Sequence, residues 1–399
     1  MSIHFNPRVA SMQPSATLAM SGRAKQLKRQ GAPVISLSAG EPDFGTPSPI
    51  AEAGIQAIRE GFTRYTQNPG MPELREAICT NLLREHGLNY APNQILCSNG
   101  AKQSVAMAVA VLCAEGDEVL IPAPYWVSYP EMTRFAGARP VILPTGVDTD
   151  YRLTAGRLEA AITDKTRLLI LCSPSNPTGS VYSREDFEAL AAVLRRHENV
   201  FVISDEIYEH VIYEATHVPF ASLEGMLERT ITVNGFSKCY AMTGWRLGYM
   251  AGPQAIVKQA AKLQGQLTSA PCAISQRAGI TALNMDMAPI NRMVAAFKER
   301  RDYALARIAA WPGCVCPKPE GAFYLFPQVS HYYGRTAPSG RKINDSQSLC
   351  FYLLEECNVA LVPGDAFGDP NGIRISYAAS MDNIRTALDR VEAGLAALA

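Results

Sequence analysis

Short apolar runs recur through the middle of the chain: QILCS (94–98), EVLIP (118–122), PVILP (140–144), RLLILCS (167–173), VFVISD (200–205), TITVN (230–234) and RLGYMAG (246–252). They are too short for buried helices and carry little polar alternation, which predicts strands covered on both faces. The segments between them are amphipathic at helical spacing, as in AKQSVAMAVAVLCAEG and SREDFEALAAVLRRHE, the latter opening on a capping-box-like Ser183 and Asp186. Strand and helix in alternation imply a mostly parallel sheet with helices on both sides. Further on, the long helical pattern NRMVAAFKERRDYALARIAAW is followed by short strands and two more helices. The expected architecture is therefore α/β: a large domain over 49–290 built on a mostly parallel seven-stranded sheet, and a smaller α+β domain over 291–399. Residues 1–48 lack the alternation and are assigned to a segment crossing between the domains. The polar, glycine-containing stretch 330–347 reads as a long loop.

Composition narrows the function. With 399 residues, 47% of them hydrophobic and 19% charged, the chain can bury a full core. Lys plus Arg and Asp plus Glu balance at 37 each, which favours neither a nucleic-acid footprint nor a membrane-surface patch. A small molecule is the expected partner. The ten cysteines include no C-x-x-C, and Cys314 and Cys316 have no histidines at metal spacing, so no metal site is expected. Free thiols in apolar runs suit a reducing cytosol, and no signal-peptide-like apolar stretch opens the sequence, so a cytoplasmic protein is expected.

Ligands of an open α/β sheet gather beyond the carboxyl ends of its strands. Three of those ends carry polar groups: SPSNPTG after 167–173, Asp205 closing VFVISD, and Ser237-Lys238 after TITVN. A fourth run leads into SNGAKQS, a helix opening at Gly100 whose free N–H groups suit an anion. A lone lysine at a strand end is ordinarily a solvated charge. An anion cradle, a carboxylate, a lysine and an arginine together fit pyridoxal phosphate: phosphate at residues 100–102, Ser237 and Arg246, pyridine nitrogen on Asp205, aldehyde on a lysine.

These stretches also carry a family resemblance. SNPTG (175–179), SDEIYEH (204–210), GFSK (235–238) and MTGWRLGY (242–249), with PSAT (14–17), AGEPDF (39–44), RYT (64–66), NGAKQ (99–103) and PYWVSYPE (124–131), resemble the motifs of class I aminotransferases of PLP fold type I. Within that family the chain is most similar to the bacterial aspartate aminotransferases, a subgroup in which some members also use prephenate. The resemblance implies that Lys238 holds the cofactor covalently and then moves the proton between substrate Cα and cofactor C4′. It implies that Asn176 and Tyr208 hold the ring 3′-oxygen, that Trp126 stacks on the ring, and that Gly100, Ala101 and Lys102 belong to the phosphate site. Tyr65 would reach the phosphate of a neighbouring subunit in a homodimer with shared active sites. Arg374, in NGIRISYAAS, would clamp the substrate α-carboxylate, with Gly40 close by; Lys102 and Thr17 would face the substrate side chain. The alternative for Lys102 is structural pairing with the cofactor phosphate or a nearby acid. Cys239 beside Lys238 reads as a packed thiol. The implied activity is transfer of the amino group between aspartate or glutamate and 2-oxo acids such as 2-oxoglutarate, with prephenate a further acceptor. Other amino donors, or a pyridoxal-phosphate lyase on the same scaffold, remain alternatives.

Overall fold

The computed structural model describes residues 3–399. A one-turn helix, Pro7–Ala10, precedes helix Ala16–Arg29 and strand β1 (Ile35–Ser36), then come helices Ser48–Arg59 and Pro72–His86. Seven strands follow: β2 (Ile95–Ser98), β3 (Glu118–Ala123), β4 (Arg139–Pro144), β5 (Thr166–Cys172), β6 (Phe201–Asp205), β7 (Thr230–Gly235) and β8 (Gly248–Ala251). They form one sheet in the order β2-β8-β7-β6-β5-β3-β4. Pairing is parallel from β7 across to β4, while β8 runs antiparallel to both β7 and β2. The mostly parallel seven-stranded sheet expected from the apolar runs is present.

The continuous apolar character of β5 has a direct cause. Leu168 and Ile170 pack with Val105 and Met107 of helix Ala101–Leu112 on one face. Leu169 and Leu171 pack with Phe187 and Leu190 of helix Arg184–Leu194 on the other. With no solvent face, the strand has no polar positions to alternate. Helix Arg184–Leu194 opens on the Ser183/Asp186 capping box read from the sequence.

Beyond the sheet lie helix Ala288–Ile308, strands β9 (Tyr324–Leu325), β10 (Val359–Ala360), β11 (Val362–Pro363) and β12 (Ile373–Ser376), and helices Ser346–Glu355 and Met381–Ala396. Strand β1 pairs in parallel with β10, so the N-terminal segment is tied to the C-terminal part of the chain. Residues 330–347 contain a short 3-10 turn and a single bridge between Thr336 and Lys342. No described helix is long and apolar enough to cross a membrane.

Candidate active site

Adjacent strand ends place the central groups. In register, Cys172 lies beside Asp205 and Asp205 beside Val233, so β5 and β6 end level and β7 runs two residues further, to Gly235. Because β8 is antiparallel, Gly248 at its start pairs with Ser98 at the end of β2, and Arg246 enters from the same edge. Asp205 is buried and accepts a 2.6 Å hydrogen bond from the Tyr129 hydroxyl. Burial pushes its carboxyl up to about 6, against the pull of Tyr129 and of the Ile207 N–H. Lys238 donates to the Gly40 carbonyl. Burial and the nearby Arg374 charge lower its amine to about 8. An amine in that range can act as an acid and a base near neutrality. The Tyr208 and Tyr324 hydroxyls are 2.8 Å apart, and the Lys238 amine stands 5.8 Å from the Tyr208 ring centroid.

An anion cradle is built by close backbone approach. Gly100 caps helix Ala101–Leu112 with φ +83°, and a Cβ there would lie 2.6 Å from the Arg246 guanidinium. Gly248 is equally constrained, since a Cβ would fall 2.3 Å from the Ala101 nitrogen. The first-turn N–H groups at Ala101 and Lys102 have no intrahelical acceptor and face the same space. Arg246 donates to the carbonyls of Thr243 and Asn99, and Ser237 completes the rim. The Lys102 amine lies 5.0 Å from the Trp126 ring centroid, and burial with the Arg246 charge lowers its pKa.

Arg374 closes the other side. It is 2% exposed and donates to the Asn176 side-chain oxygen at 2.9 Å and to the Ser38 carbonyl at 2.8 Å. Its Nε has no partner, and among the described residues no carboxylate pairs with it. The guanidinium stacks on Tyr324, 4.5 Å from the ring centroid. A buried arginine with no acid is costly unless an anion arrives from outside.

These groups share one cavity of about 620 Å³, on whose walls six cations, Lys25, Lys28, Lys102, Lys238, Arg246 and Arg374, outnumber Asp205 and Glu41. Gly40, Thr17, Ala101, Trp126, Asn176 and Tyr208 also line it. Tyr65 does not: its side chain is 99% exposed. Cys239 is buried with its thiol pushed well up by burial, as a packed thiol should be. Reading the sequence missed Tyr129, Tyr324, the Ser38 carbonyl and Gly248. Tyr129 had a signal, one helical turn beyond Trp126; Tyr324, in GAFYLF, had none.

The set fits pyridoxal phosphate on grounds internal to the structure. The cradle between Gly100, Gly248 and Arg246 suits a phosphate, the buried Asp205 suits a pyridinium, and the lowered Lys238 suits an aldehyde. With Arg374 left over for a carboxylate, fold and site define a pyridoxal-phosphate enzyme that works on amino acids. Residues 32–391 match the family model of aminotransferase class I and II. The chain belongs to that family, whose members depend on pyridoxal phosphate. It is 56% identical over 397 residues, 98% of this chain and 83% of the other, to a bifunctional aspartate aminotransferase and glutamate/aspartate-prephenate aminotransferase of Petunia hybrida. It is 44% identical to an aspartate/prephenate aminotransferase of Cereibacter sphaeroides, with 98% of each chain covered. The crystal structure of the aspartate aminotransferase from Rhizobium meliloti superposes with a TM-score of 0.96 at 43% identity over the whole of both chains.

Proposed function

We propose that this aminotransferase moves the amino group between L-aspartate or L-glutamate and oxaloacetate or 2-oxoglutarate, with prephenate as a further acceptor. The observation that carries the reading is Arg374, buried and without an acid, 2.9 Å from Asn176 and in the same cavity as Lys238. Bound pyridoxal phosphate supplies the electron sink that makes the Cα proton of an amino acid removable. Lys238 is the group that takes and returns that proton, its amine lowered toward neutrality by burial. Asp205, fixed by Tyr129, would keep the pyridine nitrogen of the bound cofactor protonated. Tyr208 and Asn176 would hold the ring oxygen, Trp126 would cover the ring, and Gly100, Ala101, Ser237 and Arg246 would hold the phosphate. Arg374 orients the α-carboxylate bidentately beside Gly40. Lys102 and Thr17 remain for the distal carboxylate; as a point charge, Lys102 accepts acids of different shape.

The division at about 48 and 290, a homodimer in which the exposed Tyr65 reaches the partner's phosphate site, and a cytoplasmic location complete the proposal. The test is the visible spectrum of the purified protein on adding aspartate. Conversion of the cofactor band to that of the amino form, reversed by 2-oxoglutarate, is expected. A cofactor band unmoved by aspartate or glutamate would overturn the substrate assignment.

A further inference from the structure

Two carbonyls, two residues apart, hold the two cations at the centre of the site. Ser38 accepts from Arg374 at 2.8 Å, and Gly40 accepts from the Lys238 amine. Two residues of chain span at most about 7 Å, so this segment sets how far the carboxylate clamp stands from the base. Its N-terminal side is anchored: Ile35 and Ser36 pair with Val359 and Ala360, and the Ser376 N–H donates to the Leu37 carbonyl at 2.8 Å. We infer that Arg300, which lies outside the cavity, anchors the other side. It is a positioning residue that holds residues 38–44, through Asp43 and Phe44, as the spacer between Arg374 and Lys238. The inference rests on the roles proposed above for those two groups.

The anchor is well built. Arg300, in helix Ala288–Ile308, donates from Nη1 to Asp43 Oδ1 at 2.7 Å. Its guanidinium lies 5.0 Å from the Phe44 ring centroid and 5.6 Å from that of Phe297, and these two rings meet edge to face at 5.4 Å. The Arg300 side chain is 12% exposed and that of Asp43 27%. An ion pair so enclosed is screened far less than one in open solvent, and the ring faces add their own attraction for the cation.

What the anchor connects gives it a role in the reaction. Phe297, one helical turn before Arg300, packs on Phe323 at 5.2 Å and Tyr377 at 6.5 Å. Those residues adjoin β9, with Tyr324, and the end of β12, with Arg374. Arg300 therefore ties the spacer to the elements that carry the clamp. The spacer's other side-chain bonds lead to the stretch after Lys238: Thr243 donates to Glu41 at 3.0 Å, and Thr46 donates to the Ala241 carbonyl at 2.8 Å. Without Arg300 the segment beyond Leu37 stays with the base but loses its polar tie to the clamp. An amino acid held on Arg374 by its α-carboxylate then presents Cα at the wrong distance from Lys238, and a misplacement of about 1 Å costs on the order of 100-fold in rate.

The test compares the holoenzymes of the wild type, Arg300→Met and the milder Asp43→Asn. Arg300→Met should lower kcat with aspartate by roughly 10- to 100-fold, with KM within about threefold. The primary isotope effect with aspartate deuterated at Cα should rise, because proton removal by Lys238 becomes the slow step; a mere loss of stability would not move it. Asp43→Asn should shift both in the same direction, and the double variant should be no worse than Arg300→Met alone, since the two act as one unit. Arg307→Met is the control: in the same helix, it too pairs with an acid, Asp389 at 2.8 Å, and lies 5.9 Å from the Tyr303 ring, so it should lower stability and leave kcat and the isotope effect unchanged. Crystal structures of the wild-type and Arg300→Met holoenzymes should show residues 38–41 displaced relative to Arg374. That readout needs no substrate, so it decides on Arg300 even where aspartate is not the donor. An undisplaced segment, an unchanged isotope effect, or additive losses in the double variant would each overturn the assignment.

Discussion

Arg301 and Arg374 are both fully enclosed, and each guanidinium lies on a tyrosine ring, 4.6 Å from Tyr213 and 4.5 Å from Tyr324. In every other respect they differ. Arg301 is gripped by both oxygens of Glu214, at 2.7 and 2.8 Å, and by Asp302, and it donates to the Pro319 carbonyl. Its charge is held, and its pKa raised against burial by those acids. Arg374 has two neutral acceptors, one idle N–H and no acid, and burial lowers its pKa. Burial and stacking are therefore not what separates a functional arginine from a structural one. The counter-ion is: a fold that supplies it internally uses the charge as a brace, and a fold that withholds it keeps the charge for a ligand.

The same distinction ranks the expected consequences of mutation. Lys238 makes one hydrogen bond, to a backbone carbonyl. Lys238→Ala should therefore lower half-transamination by roughly 10⁴-fold or more while leaving the cofactor bound noncovalently, since its other contacts are intact. Stopped-flow absorbance and equilibrium dialysis measure the two effects. Borohydride reduction of the wild type should label Lys238 alone, and a label on another lysine would remove it from its role.

Arg374→Met should come next. Loss of a buried charge pair costs about 2–5 kcal/mol in ligand binding, or roughly 30- to 4,000-fold in kcat/KM at about 1.4 kcal/mol per decade. Unlike an ordinary core replacement, it should not lower the stability of the cofactor-free protein, because the charge removed has no internal partner. A marked fall in melting temperature would show that Arg374 is a brace like Arg301 and would break the comparison.

Asp205→Asn should lower turnover by about 100-fold, the scale of a preorganised electrostatic group, chiefly through the rate and less through cofactor affinity. Its folded-state value is raised to about 6 by burial, so the cofactor-free protein loses stability as pH rises from the ordinary aspartate range through 6. The variant escapes that loss. It should be more stable than the cofactor-free wild type by up to about 3 kcal/mol above pH 6 and equal to it below pH 4. Chemical denaturation across that range measures the gap.

What the sequence revealed and concealed follows the same line. Strands buried on both faces are continuous apolar runs, so all seven were legible to within two residues, and Asp205 and Lys238 followed from their positions at the ends of β6 and beyond β7. Helix Ala16–Arg29 was not: only Met20 and Ala24 are buried along it, too few to draw an apolar stripe, and the segment reads as a crossing. Tyr129 and Tyr324 act by touching Asp205 and Tyr208 across 76 and 116 residues, and nothing local marks such a partner.

Arg301→Met should have the smallest effect on catalysis and is the sharpest test of the contrast. Arg301 lies outside the cavity, so kcat/KM should stay within about threefold, far below the loss expected for a buried charge that meets substrate. Stability should fall instead. Removing one partner of a fully buried pair costs about 3–5 kcal/mol, but Glu214 is 41% exposed and keeps Lys298 at 3.2 Å and Lys318 at 3.4 Å. The stranded acid is therefore partly satisfied, and roughly 2–3 kcal/mol is expected, most of it from the lost bidentate pair and the bond to Pro319. The pH dependence identifies the source. The Arg301 guanidinium, then Lys298 and Lys318, hold the Glu214 carboxyl well below its ordinary value of 4.5 against a smaller effect of burial. An acid so depressed contributes its stability above the unfolded value and loses it as pH falls through the folded one. The gap between wild type and Arg301→Met should thus be full at pH 7 and close progressively below pH 4.5. A gap that persists unchanged into acid would assign Arg301 to packing against Tyr213, not to its acids, and a large loss of activity at unchanged stability would place it with Arg374.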